Sequence, residues 1–420
     1  MPRKFGETLA AGRVEPAKRV GYAYDVRMKH HFDLEDHDDP HPEDPRRIYW
    51  IYDILERAGC LKLMRSVSVR PVTDTQILRV HSRSYLEKLK QTELMEKSTL
   101  LEAQEEYESV TLCTASHYCA RLSAGGLLGL CTEVVKGQLD SGLAIIRPPG
   151  HHACQNRAMG FCLLNNVAIA IRELQTHGLV DRVLVVDWDV HHGNGIQEAF
   201  YSDDSVLYFS LHRFEGGDFF PTGGAGDMDK VGKDRGRGFN INVPWAADGV
   251  GDGDYMYAFK RLLLPVAREY MPDLIVVACG FDAATCDPIG MCNVSPECYG
   301  AMTAMLRGVC SKVVLSLEGG YNLDAIANSA LGCVKALLGI RWSAGLVPQA
   351  ASFNAYATLS EAEINGVQTG KLVYEAGWLA LPKWDPAVEV PECVRAQPSE
   401  LGKQVVDRVA GEVGRYWQSL

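Results

Sequence analysis

No stretch of this 420-residue chain is apolar for long enough to cross a membrane. Its strongest apolar runs, such as Leu274–Ala278, fall far short of the roughly 18 residues that a spanning helix requires. The opening MPRKFGETLA has no apolar segment after its basic residues, so no signal peptide is expected. None of the 13 cysteines stands in C-x-x-C spacing, and their number is odd. That argues against an all-cysteine zinc site or a disulfide framework and for reduced thiols in an intracellular compartment. Cys162, Cys279, Cys310 and Cys333 lie among Val, Leu and Ala and read as small buried hydrophobes. There is no long basic run, and the formal net charge is −11. Direct nucleic-acid binding, which needs a positive footprint, is therefore not expected. Cationic ligands stay open.

What is present is an ordinary globular composition, 47% hydrophobic, which excludes global disorder. From about Gly142 to Gly339, short apolar runs alternate with helix-length segments. The strand candidates are Leu143–Ile146, Val183–Val186, Val206–Leu211, Phe239–Val243, Leu274–Ala278 and Val313–Leu317. They are β-branched and mostly do not alternate in polarity, as expected of strands buried on both faces. Asn165 or Asn166 opens a helix to about His177, Ser295-Pro296-Glu297 one to about Cys310, and Asn322 one that stops at Gly339. Further helices are expected at Arg46–Ala58 and Leu112–Lys136. After an irregular stretch, Trp342–Pro398, the spacing of Leu401, Val405, Val409, Val413 and Trp417 predicts an amphipathic helix docked on the main body. The fold class is α/β: a mainly parallel central sheet with helices on both faces.

In such sheets ligands bind beyond the carboxyl ends of the strands. Five of the six predicted strand ends carry His, Asp or Tyr, often beside Gly or Pro: RPPGHH (147–152), DWDVHHGNG (187–195), His212, CGFD (279–282) and EGGY (318–321). Chance accounts poorly for five. Residues i, i+2 and i+4 of an extended chain share a face, so Asp187, Asp189 and His191 should point together. Two carboxylates and an imidazole suit zinc with an open coordination position, and Asp282 is placed to add a ligand. The competing account makes the two aspartates turn caps and the histidines a packed polar network. His151 and His152 face the same crevice as candidate base and acid. Tyr321 could donate its hydroxyl to a developing oxyanion or simply pack under a loop. His30, His31, His37 and His41 could form a second metal site or be ordinary loop histidines.

RPPGHHA…GFCLLNNVAIA, VDWDVHHGNG, SLHR, FFPTGGAG, GFD and LEGGYNL, in this order and spacing, together with HPEDPRRI at 41–48, resemble the zinc-dependent histone deacetylases of class II. The similarity covers roughly Gly21 to Gly339. It implies the arginase/deacetylase fold, with a catalytic domain over 21–340, an N-terminal extension 1–20 and a C-terminal extension 341–420. It implies one Zn2+ at the end of a narrow tunnel, held by Asp189, His191 and Asp282. By the same resemblance His152 is the principal general base and acid, His151 acts mainly electrostatically, and Asp187 orients His151. Asn194 lies behind the second histidine, and Tyr321 holds the oxyanion. Phe161 and Phe220 would wall the tunnel, with Gly160, Ile289, Ser109 and His41 also contacting substrate. One or two structural K+ ions would sit near Asp187, Ser210 and Leu211, and near Phe200.

The implied activity is hydrolysis of N6-acetyl-lysine in histones or other proteins, with a corepressor complex among the implied partners and nuclear rather than cytoplasmic residence. Tyr321 stands where weakly active class IIa members carry His. Ile289 stands where polyamine-specific relatives carry a glutamate gatekeeper. The alternatives are an acetylpolyamine deacetylase, a two-metal ureohydrolase, or a non-catalytic acetyl-lysine-binding scaffold. The net charge is concentrated: residues 21–45 hold eight acids against two bases, and 91–110 six against one. Both segments would border the tunnel mouth, where a negative field could steer a lysine-rich tail.

Overall fold

Eight strands form one sheet: β1 (Val20–Tyr24), β2 (Met64–Val67), β3 (Ser141–Ile145), β4 (Val183–Asp187), β5 (Val206–Arg213), β6 (Asn240–Trp245), β7 (Leu274–Cys279) and β8 (Val313–Leu317). Their order is β2-β1-β3-β8-β7-β4-β5-β6, and every neighbouring pair is parallel. This computed structural model describes residues 19–35, 41–340 and 392–420. Expectations placed on residues 1–18, on His37 with Asp36, Asp38 and Asp39, and on 341–391 lie outside the described residues.

Every residue of β3 to β8 is buried, because helices cover both faces. Arg46–Arg57 and Pro296–Arg307 pack on Leu323–Leu338, while Ser116–Val135 packs on Asn166–Thr176. The six apolar runs read from sequence are these six strands. β1 and β2 are additional to them, and each has a reason for being faint. In β1 the sequence VGYAY places Gly21 where a Cβ would meet Leu139 at 2.4 Å, so packing selects the residue that weakens the strand signal. β2 is an edge strand whose Arg65 and Ser66 are exposed.

The capping signals correspond to atoms. Asn165 Oδ1 accepts from Ala168 N–H at 3.0 Å, Ser295 Oγ from Cys298 N–H at 3.1 Å, and Asn322 Oδ1 from Ala325 N–H at 3.0 Å. Near the C-terminus, Ser399 Oγ accepts from Gly402 N–H at 2.9 Å, and the helix Glu400–Val413 lies on β6, the sheet's edge. Val405, Val409, Val413 and Trp417 are buried there, whereas Leu401, expected on the same face, is 44% exposed. It sits in the first turn of the helix. All 13 cysteines are free thiols, most of them buried. No helix among the described residues is long and apolar enough to cross a membrane.

One buried histidine makes the fold sensitive to acid. His81 Nδ1–H donates to the Cys154 carbonyl (2.9 Å), and its Nε2 accepts from Asn165 N–H (2.9 Å). Protonating Nε2 breaks the second bond, and burial holds the pKa down at about 4 against 6.5. The unfolded chain therefore binds the extra proton first. Stability is complete above about pH 6.5 and falls as the pH drops toward about 4, by on the order of 3 kcal/mol from this residue. A glutamine can make both hydrogen bonds without titrating. The urea midpoint of His81→Gln should thus depend less steeply on pH between 6.5 and 4 than that of the native chain. Equal slopes would refute the assignment.

Candidate active site

β3, β8, β7 and β4 are adjacent in the sheet but distant in sequence, and the loops leaving their carboxyl ends meet. They carry His151 and His152, Glu318 to Tyr321, Asp282, and Asp189 with His191.

Asp189, His191 and Asp282 offer ligand atoms that all lie within 4.8 Å of one another, and all three residues are buried. His191 Nδ1 is 3.1 Å from Asp189 Oδ1 and 3.1 Å from Asp282 Oδ2. The other oxygens are engaged by backbone: Val190 N–H donates to Asp282 Oδ1 (2.7 Å) and Gly319 N–H to Asp189 Oδ2 (2.8 Å). Burial, with the charge of Asp189 beside it, pushes Asp282 up to about 7. A cation relieves that strain. Space is kept for one, since a Cβ at Gly319 would stand 2.2 Å from Asp282 Oδ2 and 2.7 Å from Asp189 Oδ2. Two carboxylates, one imidazole and a cleared space fit zinc in its three-ligand catalytic form.

Asp187 is not part of this triad. Strand β4 ends at Asp187, so the alternation that was to align Asp187, Asp189 and His191 does not continue past it. Its Oδ2 instead faces His151 Nδ1 (3.2 Å) and accepts from the Tyr208 hydroxyl (2.9 Å). The histidine rings lie 3.9 Å apart between centroids, in opposite electrostatic settings. Burial opposes charge on His151, but Asp189 and Asp187 outweigh it and raise the pKa to about 10. Burial together with the charges of His151 and His191 drives His152 well down. His152 Nδ1 is 2.8 Å from Asn194 Oδ1, while Asn194 Nδ2 donates to Cys154 Sγ and Met159 Sδ. The amide oxygen therefore accepts from Nδ1–H, leaving the Nε2 lone pair of neutral His152 free.

Aromatic rings border this centre. Phe220 is edge-on to His152 at 5.1 Å, Phe161 edge-on to Tyr321 at 5.9 Å, and His41 edge-on to Phe161 at 4.8 Å. Gly160 has φ +53°, and a Cβ there would meet the His152 ring at 2.5 Å and Phe220 at 2.8 Å. Ser109 reaches the wall through its backbone, its carbonyl accepting from Phe161 N–H at 2.7 Å. Ile289 is half-buried in the loop after β7. The Tyr321 hydroxyl lies 3.0 Å from the Cβ position of Gly319, beside the metal triad. Burial, then Asp282 and Asp189, hold it protonated, well above 10.

Other expected residues fall elsewhere. Ser210 pairs in register with Asp187 across β4 and β5, and Leu211 is buried one residue on. Phe200 ends the helix Asn194–Phe200 with the Arg172 guanidinium 4.5 Å over its ring. The candidate second metal site is dispersed among the described residues: His31 Nδ1 contacts Ser116 Oγ at 2.9 Å, His30 is exposed, and His41 stands by Phe161. Four of the acids in the two acidic segments have side-chain partners. Asp25 binds Arg27, Asp44 binds Arg46, Glu106 binds Lys88, and Glu93 binds His117.

Sequence reasoning gave no role to a buried ion network beneath the site. Glu43 lies between Arg147 (2.5 Å) and Arg47 (3.0 Å). Arg47 Nε also donates to the Gly320 carbonyl at 2.6 Å, fixing the tyrosine loop. Glu318 Oε2 accepts from Gly150 N–H (2.6 Å) and His151 N–H (3.1 Å). Phe219 stacks on His191 at 5.2 Å, and Arg213 lies 4.0 Å over Phe219. The available signal was charge inside motifs: Glu43 and Arg47 belong to HPEDPRRI and Arg147 to RPPGHHA.

Comparison with known proteins gives a consistent result. The family described as Histone deacetylase domain matches residues 41–337. Histone deacetylase HDA1 of Saccharomyces cerevisiae is 45% identical over 340 residues, covering 76% of this chain and 48% of that one. Polyamine deacetylase HDAC10 of Danio rerio is 43% identical over 298 residues, 71% of this chain and 44% of that one. The crystal structure of the HDA15 HD domain superposes with a TM-score of 0.77 at 35% identity, covering 96% of both chains. The chain spans about half the length of the curated relatives it matches.

Proposed function

The chain belongs to the histone deacetylase family, with the arginase/deacetylase fold, and from that premise we propose that it hydrolyses N6-acetyl-lysine of histones or other proteins to lysine and acetate. The single observation that carries this reading is the buried Asp189–His191–Asp282 triad with the His152 ring and the Tyr321 hydroxyl beside it.

Zinc bound at the triad supplies Lewis acidity toward the amide carbonyl and lowers the pKa of the attacking water. Phe161 and Phe220 grip the aliphatic lysine stem and exclude water, with Gly160 leaving room beside His152 and Phe220 and Ser109 and His41 adjoining Phe161. His152 Nε2 takes the water's proton, because Asn194 holds Nδ1–H, and returns it to the departing lysine amine. His151, held in place by Asp187, acts electrostatically on the developing charge. The Tyr321 hydroxyl donates to the carbonyl oxygen as it becomes an oxyanion.

Residues 21–340 form the catalytic domain in this reading, flanked by the extensions 1–20 and 341–420. A structural K+ is proposed at Asp187, Ser210 and Leu211; around Phe200, the expected second position, the Arg172 guanidinium donates to the Ala199 carbonyl at 2.8 Å and takes an oxygen that a cation would need. Nuclear residence and a corepressor complex are proposed on the same family ground.

The polyamine alternative turns on Ile289. An apolar side chain at that position offers no counter-charge to a polyamine, which favours acetyl-lysine in proteins. On zinc-loaded protein, kcat/KM for an acetyl-lysine peptide should exceed that for N-acetylspermidine by at least about tenfold, the scale of a missing charge partner. The reverse order would make the chain a polyamine deacetylase. No turnover of either substrate with zinc bound would make it a scaffold, against which intact His152 and Tyr321 count.

A further inference from the structure

Asp287 belongs to none of the groups assigned above, yet it is only 4% exposed and sits where two segments of the site touch. Its Oδ1 accepts from Ile289 N–H (2.9 Å) and Gly290 N–H (3.0 Å). Its Oδ2 accepts from Tyr321 N–H at 2.7 Å. One carboxylate therefore holds three backbone donors: two from the segment that carries the gatekeeper position, and one from the residue that carries the oxyanion donor. A second tie joins the same segments, Asn322 Nδ2 donating to the Cys286 carbonyl at 3.0 Å. From the far side, Arg213 Nη1 donates to the Gly290 carbonyl at 3.0 Å. The gatekeeper segment is thus held from both sides at Gly290.

Only a carboxylate satisfies this arrangement. Ionised Asp accepts at both oxygens, whereas Asn offers one acceptor and an NH2 group that would face an N–H donor. A buried N–H left without a partner is costly, so the backbone at Tyr321 or at Ile289–Gly290 would move instead. Tyr321 projects its hydroxyl toward the Asp189–Asp282 pair from a backbone fixed on one side by Arg47 at the Gly320 carbonyl. Asp287 fixes the other side.

We propose that Asp287 is a positioning residue for the Tyr321 hydroxyl, coupling the loop after β7 to the loop after β8 so that the gatekeeper and the oxyanion donor move as one unit. This rests on the reading of Tyr321 as oxyanion donor. Asp287 touches neither substrate nor metal; its effect passes through the Tyr321 backbone.

A double-mutant cycle on the full, zinc-loaded chain tests it, with kcat and KM measured on an acetyl-lysine peptide for Asp287→Asn, Tyr321→Phe and both together. Asp287→Asn should lower kcat by about ten- to a hundredfold, the scale of a displacement near 1 Å, with KM within about twofold. In the Tyr321→Phe background the same change should cost less than about threefold, because no hydroxyl remains to be misplaced. A merely structural role would give the same loss in both backgrounds, and that result overturns the proposal, as does native kcat for Asp287→Asn. If Asp287→Asn does not fold, Asp287→Glu keeps the acceptors but shifts them by a methylene, and the same criterion applies. Near-native turnover by Tyr321→Phe alone would instead remove the tyrosine reading itself, which the cycle reports separately.

Discussion

Asp282→Asn should yield a folded chain that does not retain zinc through dialysis and whose kcat/KM on acetyl-lysine peptides falls at least about a thousandfold. Asparagine keeps an oxygen for Val190 N–H, now at 2.7 Å from Asp282 Oδ1, so the loop after β4 stays pinned and a folding defect is not the explanation. What disappears is the second negative charge opposite Asp189, and with it one of three ligands, the oxygen facing His191 Nδ1. Metal content and circular dichroism, measured on the same preparation, separate the two effects. A metal-free variant with native turnover would end the zinc reading. Two tightly held Mn2+ per native chain would replace it with a two-metal ureohydrolase.

Tyr321→Phe should keep zinc and fold but lose about two to three orders of magnitude in kcat, the contribution of one oxyanion donor. The hydroxyl stays protonated because burial and the charges of Asp282 and Asp189 oppose its ionisation, so it can only donate. The ring is held by Phe161 at 5.9 Å and by Arg47 at 5.5 Å, contacts a phenylalanine retains. KM should therefore change little. A loss confined to KM would assign the hydroxyl to substrate binding rather than to the developing charge.

These two experiments probe parts of the site that differed in legibility. The D-x-D-x-H pattern announced a metal site, but strand alternation would have aimed all three side chains together. β4 ends at Asp187, so Asp187 turns to His151, while Asp189 and His191 meet Asp282, which the sequence had already offered as a further ligand. Similarly, Glu43, one of the eight acids of 21–45, is buried between Arg47 and Arg147 and does not belong to any surface field. Charge counted along a chain carries no information about which charges face each other.

The sequence alone determined the buried strands β3 to β8, whose apolar runs are local, and the helix caps, which depend on side chains within three residues of the backbone they satisfy. It also determined the chemistry of the site, because histidines, aspartates and Tyr321 cluster after strand ends. The tertiary structure alone decided the partnerships. Strand order β3-β8-β7-β4 brings His151, Tyr321, Asp282 and Asp189 within reach of one another, although the first and last of their loops are separated by two intervening strands. Sheet pairing is non-local and set by the summed packing of both faces, so no window of residues encodes it. The same holds for the absences noted first. The chain lacks long apolar runs and C-x-x-C pairs, so neither a spanning helix nor an all-cysteine zinc site was expected; that a buried Asp189–His191–Asp282 cluster able to hold a metal forms required carboxylates from the loops after two strands to meet.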